Sequence, residues 1–354
     1  MIQENYRVIG VMSGTSLDGV DLAVCRFNFS ETIGYAIEEA ITIPYPLHWK
    51  TKLKEAVSFS SEMLSVLDVA YTQYLADLIQ SFIKEYRLEN IDAVCSHGHT
   101  ILHQPEAGVT LQIGNLKKIS EIIGITVVCN FRVQDVGLGG QGAPLVPIGD
   151  RLLFNEYDYC LNLGGFANVS CEQNGTRIAY DICPVNIVMN AYAEKAGKPY
   201  DENGNLAKSG SVLLETSNQL RNLHYYKLPA PKSLGLEYVL EEVFPILNET
   251  RAAPEDILRT FTDHIAEEIA RQFKRGSRVL VTGGGAYNGY LLSQIKENKE
   301  IELVVPDSTL LEFKEALIFG LLGTLRLRDE INCLASVTGA SQDHSSGEVF
   351  RPLR

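Results

Sequence analysis

Three short runs of small residues carry the most chemistry in this chain. Gly14-Thr15-Ser16-Leu17-Asp18-Gly19, Asn162-Leu163-Gly164-Gly165 and Thr282-Gly283-Gly284-Gly285 each follow an apolar, strand-like run. Glycine lets backbone N–H groups approach an anion closely, and Ser or Thr hydroxyls add donors. Any one of these loops alone is equally well a tight turn. Three in one chain are better explained by a nucleotide whose phosphates lie between two domains. None fits G-x-x-x-x-G-K-[ST] or G-x-G-x-x-G, so neither a Walker loop nor a dinucleotide fingerprint is present.

The charged residues narrow the chemistry. Asp18, inside the first loop, would repel a phosphate unless a cation bridges them. It is either a water-mediated Mg²⁺ residue or a turn-stabilising aspartate. Asp181 follows a β-branched run and precedes Cys183-Pro184-Val185-Asn186 and a helical pattern. It suits a general base at a strand end, a helix N-cap, or both. Arg132, in Asn130-Phe131-Arg132, is placed either to grip a substrate carboxylate with two N–H groups or simply to face solvent. Glu315 lies among Leu311, Phe313, Ala316 and Leu317, so a half-buried flank and a polar partner are expected of it. His97, His99 and His103 give H-x-H-x₃-H, but no acid or cysteine cluster accompanies them. A hydrogen-bonding His97 fits this better than a metal site. There is no G-x-S-x-G elbow.

The elements that must hold these groups alternate between strand and helix. Apolar runs at 6–12 and 20–27 flank the first loop and predict a hairpin. Apolar residues at helical spacing from Met63 to Phe82 predict a helix, followed by strands at 91–96, 110–113 and 125–129, with a short helix at 116–123. The Gly/Pro-rich stretch 137–147 interrupts the pattern and is the expected boundary or hinge. Strands at 159–163, 167–171 and 178–181 then repeat the hairpin theme, and helices are expected at 187–196, 212–223, 236–247, 255–273, 289–297 and 311–328. Both halves therefore open with strand, small-residue loop and strand. The expectation is two domains, 1–135 and 136–354, with the C-terminal tail able to return to the first.

Composition agrees. At 354 residues the chain exceeds one ordinary core, so about two domains are expected. With 45% hydrophobic and 21% charged residues it is neither disordered nor collagenous. A net charge of -13 without a Lys/Arg run lacks the footprint of a nucleic-acid binder. The start of the chain has neither basic flank nor long apolar stretch, and no run approaches a membrane span. The seven scattered cysteines are expected to be reduced, which places the protein in the cytoplasm. No apolar stripe marks an interface, so a homodimer stays open.

Taken together, these strings resemble the anhydro-N-acetylmuramic acid kinase family, a branch of the sugar kinase, actin and chaperone-ATPase superfold. The residues that carry the resemblance are 9–21 (IGVMSGTSLDGVD), Ser96-His97-Gly98 with Thr100, 110–115 (TLQIGN), Phe131-Arg132 and 139–147 (GGQGAPLVP). Further on they are 162–168 (NLGGFAN), Pro231-Lys232-Ser233, 283–288 (GGGAYN), Glu315-Ala316 and 337–340 (VTGA). The resemblance implies two RNase H-like α/β domains with an ATP cleft between them. It also implies an ATP- and Mg²⁺-dependent kinase that opens an anhydro-muramic sugar with water and phosphorylates O6, in peptidoglycan recycling. Gly14, Thr15, Ser16, Leu17, Asp18, Gly19, Val20 and Asp21 would form the first phosphate loop. Asn162, Gly164 and Gly165 would form the second, with Gly283, Gly284 and Gly285 on the adenosine side. Asp181 matches the catalytic base, Arg132 and Glu315 match sugar-binding positions, and His97 is expected beside them.

The chain departs from the family pattern on the sugar side. Where the family reads D-T-G-P-G-N, this chain has Asp181-Ile182-Cys183-Pro184-Val185-Asn186, and losing two glycines is expected to crowd the site. His99 replaces a Gln, Asn130 an Asp, and Leu234-Gly235-Leu236-Glu237 stands for T-G-R-E. These changes keep two alternatives open: a kinase for a different sugar, or a nucleotide-binding regulator with weakened turnover.

Overall fold

The computed structural model describes residues 3–353. The chain divides into two compact units, one running to Leu153 and resuming at Phe313, the other Phe154–Glu312. The division therefore falls later than 135/136. The glycine-rich stretch 137–147 is tied to the C-terminal segment of the first unit: Gln141 N donates to Thr338 O (2.8 Å) and Ser341 N to Leu138 O (3.1 Å). That stretch lies inside the first unit rather than at its border.

In the first unit the strands are β1 (Asn5–Ser13), β2 (Gly19–Phe29), β3 (Ile33–Pro44), β4 (Ala93–Gln104), β5 (Val109–Ile113) and β6 (Val127–Cys129). The sheet order is β3-β2-β1-β4-β6, with Glu348–Phe350 on the far edge and β5 folded back on β4. β1, β2 and β3 are mutually antiparallel, whereas β4 and β6 run parallel to β1. In the second unit β7 (Tyr159–Leu163), β8 (Phe166–Gln173), β9 (Thr176–Pro184), β10 (Arg278–Thr282) and β11 (Glu302–Val304) take the order β9-β8-β7-β10-β11. Here too three antiparallel strands are followed by two parallel ones. Each unit thus has the RNase H-like α/β order expected of it.

The first sheet is covered on both faces, which explains why its strands read as nearly continuous apolar runs. Ile9 and Val11 of β1, with Val20, Leu22 and Val24 of β2, pack on the helix Ser61–Glu85 through Leu67, Tyr71 and Leu75. Strand alternation sends Val8, Gly10, Cys25 and Phe27 to the opposite face. The helix Ser308–Leu327 lies there, and its Ala316, Gly320 and Gly323 allow a very close approach. A Cβ built on Gly10 would stand 1.9 Å from Ala316 O, and one on Gly323 would stand 2.2 Å from Cys95 Sγ. The second core forms around β7–β10 and the helix Pro254–Arg271, which contributes Phe261, Ile265 and Ile269.

Strand β3 has no counterpart in the sequence expectation. It is an edge strand whose apolar alternation, Ile33, Tyr35 and Ile37 and then Ile41 and Ile43, is split into two short halves by Glu38 and Glu39, with a bulge at Glu38. Glu38 is balanced by Arg7 on β1 (2.7 Å) and Arg26 on β2 (2.7 Å), and these two guanidinium groups hold its carboxyl below the usual range despite partial burial. Among the described residues no helix is long and apolar enough to cross a membrane.

Candidate active site

The first loop closes the β1–β2 hairpin. Leu17 N donates to Gly14 O (3.3 Å) with Leu17 at φ 60°, and Tyr45 N donates to Asp18 O (3.3 Å). Thr15, Ser16 and Asp18 are exposed, while Gly19 and Val20 are already buried in β2. The Asp18 carboxylate makes no hydrogen bond among the described residues, so it does not stabilise the turn as an aspartate cap would. Asp21 is held: Thr42 Oγ1 donates to its Oδ1 at 2.6 Å.

Behind the loop lies a buried polar network. Ser13 Oγ contacts Tyr45 OH (2.6 Å) and His99 Nδ1 (2.8 Å), and Tyr71 OH donates to Ser13 Oγ (3.2 Å). Burial lowers the His99 pKa to about 4, so the ring is neutral at pH 7. His99 therefore braces the residue from which the loop departs.

Arg132 follows β6 and is partly buried. Its Nε donates to His97 Nε2 (2.9 Å) and its Nη1 to Gly142 O (2.6 Å). Because Arg132 can only donate, His97 Nε2 accepts, and the ring proton sits on Nδ1, facing Gly98 O at 2.9 Å. Burial, then the Arg132 charge, push the His97 pKa well down. Both ring nitrogens are used on protein groups, so His97 orients Arg132, a different role from the direct sugar contact expected of it. Burial lowers the Arg132 pKa to about 10, against the pull of Glu315, which leaves the group cationic at neutral pH. Nη2 has no protein partner among the described residues and remains available to an anion.

Glu315 is the exposed residue of its turn on the helix Ser308–Leu327. Although solvent reaches it, surrounding protein raises its carboxyl above the usual range and the Arg132 charge partly offsets that. The buried polar residue of this flank is its neighbour Lys314, whose Nζ lies 2.7 Å from Asp150 Oδ1. His103 pairs with Thr110 Oγ1 (3.1 Å), so His97, His99 and His103 each have separate partners and form no metal cluster.

In the second unit, β7 and β10 run parallel and pair Asn162 with Thr282. Their two glycine loops therefore lie side by side. Gly283 has φ 82°, and a Cβ there would stand 2.6 Å from Asn162 Oδ1 and 2.9 Å from Leu163 O. Asn186 Nδ2 donates to Leu163 O (3.1 Å) and its backbone N to Gly164 O (3.2 Å), tying the helix Asn186–Lys195 to the same loop. Asn162, Gly164 and Gly165 are thus gathered with Gly283, Gly284 and Gly285.

Asp181 lies within β9, beside a bulge: Asn168 pairs with Asp181 and Ala167 with Cys183, leaving Ile182 as the extra residue. A bulge of this kind re-aims the adjacent side chain. Asp181 is not the cap of the following helix, a place occupied by Val185. Asp181 N donates to Lys232 O (2.9 Å), Leu234 N donates to Asp181 Oδ2 (2.8 Å), and Tyr225 OH donates to Asp181 O (2.7 Å). Oδ1 has no protein partner among the described residues. Desolvation raises the Asp181 pKa and the Leu234 N–H pulls it back. A carboxylate with one oxygen fixed, the other free and a raised pKa is equipped to accept a proton.

The expected crowding from the two lost glycines does not occur. Cys183 and Val185 are both fully buried in the core of the second unit, so neither side chain projects toward Asp181's free oxygen from a solvent-facing position. Leu234 contributes its backbone N–H, so the change of side chain there leaves the bond to Asp181 intact. Asn130 sits at φ 58°, a conformation asparagine tolerates well, and its Nδ2 reaches Glu348 Oε2 (3.0 Å).

The family model described as anhydro-N-acetylmuramic acid kinase matches residues 6–352. The chain is 34% identical over 369 residues to anhydro-N-acetylmuramic acid kinase of Vibrio cholerae, covering 99% of each chain. It is also 34% identical over 364 residues to the enzyme of that name from Pasteurella multocida, covering 97% of this chain and 96% of the relative. Among solved structures, a ligand-bound xylulose kinase from Lactobacillus acidophilus aligns over 98% of this chain and 94% of its own, with a TM-score of 0.44 and 13% identity. On the family model and these full-length relatives, the chain belongs to the anhydro-N-acetylmuramic acid kinase family.

Proposed function

We propose that the chain is an ATP-dependent kinase that opens the anhydro ring of 1,6-anhydro-N-acetylmuramic acid with water and phosphorylates O6, giving N-acetylmuramic acid 6-phosphate. The observation that carries this is family membership over residues 6–352. The half-engaged Asp181 carboxylate supports the assignment of the base. Asp181 Oδ1 takes a proton from water as the water oxygen bonds to the anomeric carbon. The bond from that carbon to O6 breaks, O6 bonds to the γ-phosphorus, and ADP departs. Arg132, held by His97 and Gly142, offers Nη2 to the lactyl carboxylate of the sugar, and Glu315 accepts from a sugar hydroxyl.

The loops at 14–21, 162–165 and 283–285 are the proposed ATP-binding segments. Mg²⁺ is the proposed cation: the Asp18 carboxylate is exposed and bonds no protein group, so it fits a water-mediated hold. When bound there, Mg²⁺ neutralises charge on the phosphate oxygens. An ADP-release assay on the anhydro sugar tests the whole proposal. ATP binding without turnover on any sugar would replace the kinase by a regulator, and turnover of other sugars alone would replace the substrate.

Two expected results follow from the geometry. Arg132→Ala should lower kcat/KM at least tenfold, about 1.4 kcal/mol, chiefly through KM. A sugar lacking the carboxylate should show no such loss, because the lost interaction would already be absent. The second concerns pH. The base works only when deprotonated, and burial raises its pKa, so the acid limb of kcat/KM should lie above the ordinary aspartate range. Activity is then lost as pH falls through that raised value. An acid limb at or below the ordinary range would count against Asp181 as the base.

A further inference from the structure

A buried polar cluster in the first unit takes no part in this chemistry. Asp135, on the helix Val133–Gly137, is fully buried and collects donors from segments far along the chain. Its Oδ1 accepts from Thr338 Oγ1 at 2.7 Å and from the Cys333 thiol at 3.1 Å, a residue 198 positions away. Its Oδ2 accepts from Gly142 N at 2.7 Å. His344, only 5% exposed, aims Nε2 at the same Oδ1 from 3.6 Å.

The imidazole is the anomaly. His344 Nδ1 lies 3.1 Å from Gln342 O and donates to it, which leaves Nε2 as the nitrogen that faces Oδ1. That buried nitrogen has no hydrogen-bond partner. A lone pair facing a carboxylate oxygen in a dry interior is unfavourable unless something positive lies between them. A ring N–H held by a backbone carbonyl, with the other nitrogen free, is also how a ligating imidazole is oriented.

Cys333 supplies a third and softer donor, and the three ligand atoms lie within 4.8 Å of one another. Ligand bonds of about 2.0–2.3 Å to a tetrahedral zinc imply ligand-to-ligand separations of roughly 3.3–3.7 Å. The 3.6 Å from nitrogen to oxygen falls inside that range, and the 3.1 Å from sulfur to oxygen lies slightly below it.

We propose that Asp135, Cys333 and His344 form a binding site for a borderline-soft divalent cation of the zinc class. Thiolate and imidazole favour such an ion over Mg²⁺, so this site is chemically distinct from the phosphate cation. Binding releases the Cys333 proton to solvent, and Oδ1 exchanges its bond from the thiol for one to the ion, with no change of oxidation state. Thr338 Oγ1 and Gly142 N remain to orient the carboxylate. The site fastens the C-terminal segment to the backbone of Gly142, whose carbonyl holds Arg132 Nη1.

The test is titration of the full chain, stripped of metal by chelator, with Co²⁺ as a spectroscopically visible zinc substitute. One equivalent should bind with an intense near-ultraviolet thiolate-to-cobalt band, and Zn²⁺ should displace it. Cys333→Ser keeps a hydroxyl for Asp135, so it should fold and lose the band. His344→Gln should weaken Co²⁺ at least tenfold. Absence of a thiolate band in the wild type, its persistence in Cys333→Ser, or unchanged affinity in His344→Gln would each overturn the site and leave only a hydrogen-bonded aspartate.

Discussion

Asp181→Asn should lower kcat for sugar-dependent ADP release by roughly a thousandfold while leaving ATP binding unchanged. The amide is nearly isosteric, and its oxygen can still accept from Leu234 N, so the local backbone is preserved. What it loses is the capacity to take a proton. Removing only proton transfer should therefore act on kcat, at about 4 kcal/mol of transition-state energy. Calorimetric ATP affinity and the unfolding midpoint serve as controls and should not move. Retention of turnover within a factor of ten would mean that another group accepts the proton, and the assignment of the base would fail.

The second large effect concerns stability. Gly10→Ala should destabilise the first unit by about 3 kcal/mol. The added methyl would stand 1.9 Å from the carbonyl oxygen of Ala316, a backbone atom inside a helix that cannot rotate away. Relief requires the helix to lift from the sheet, which would loosen Gly320 and Gly323 on the same face and shift the turn carrying Glu315. Gly137→Ala is the matched control, since nothing lies within 4 Å of its added carbon. Urea unfolding of both variants decides the matter. Equal midpoints would show that the helix is not seated as closely as described.

The parts of this architecture that were legible in the sequence are those with a local signal. The apolar runs around the first loop announced β1 and β2, because the middle of a strand covered on both faces reads as a nearly continuous apolar run. Helical spacing announced Ser61–Glu85 in the same way. Strand β3 was hidden because its two central glutamates face solvent and arginines, as an edge strand permits. In the site, glycine runs marked the loops, and their pairing across parallel β7 and β10 required the sheet order. The partner of Asp181 was invisible for a different reason. It is a backbone N–H, at Leu234, and no side-chain type signals that. The positions of Cys183 and Val185 show the converse error: a departure from the family pattern was expected to fill the site, whereas both side chains enter the core. Likewise Glu315 was expected to be half buried, yet Lys314 beside it takes the interior position.

The division of the chain has a consequence for its synthesis. The second unit is one uninterrupted stretch, so all its strands and its core helix leave the ribosome together and can pack at once. The first unit is discontinuous, and the part of the helix that covers one face of its sheet, from Phe313 onward, is translated only after the whole of the second unit. Until then the nascent first sheet shows solvent an apolar face containing Val8, Cys25, Phe27 and Cys95. The part made first is therefore the part completed last, and chaperones have the most to shield at the start of the chain.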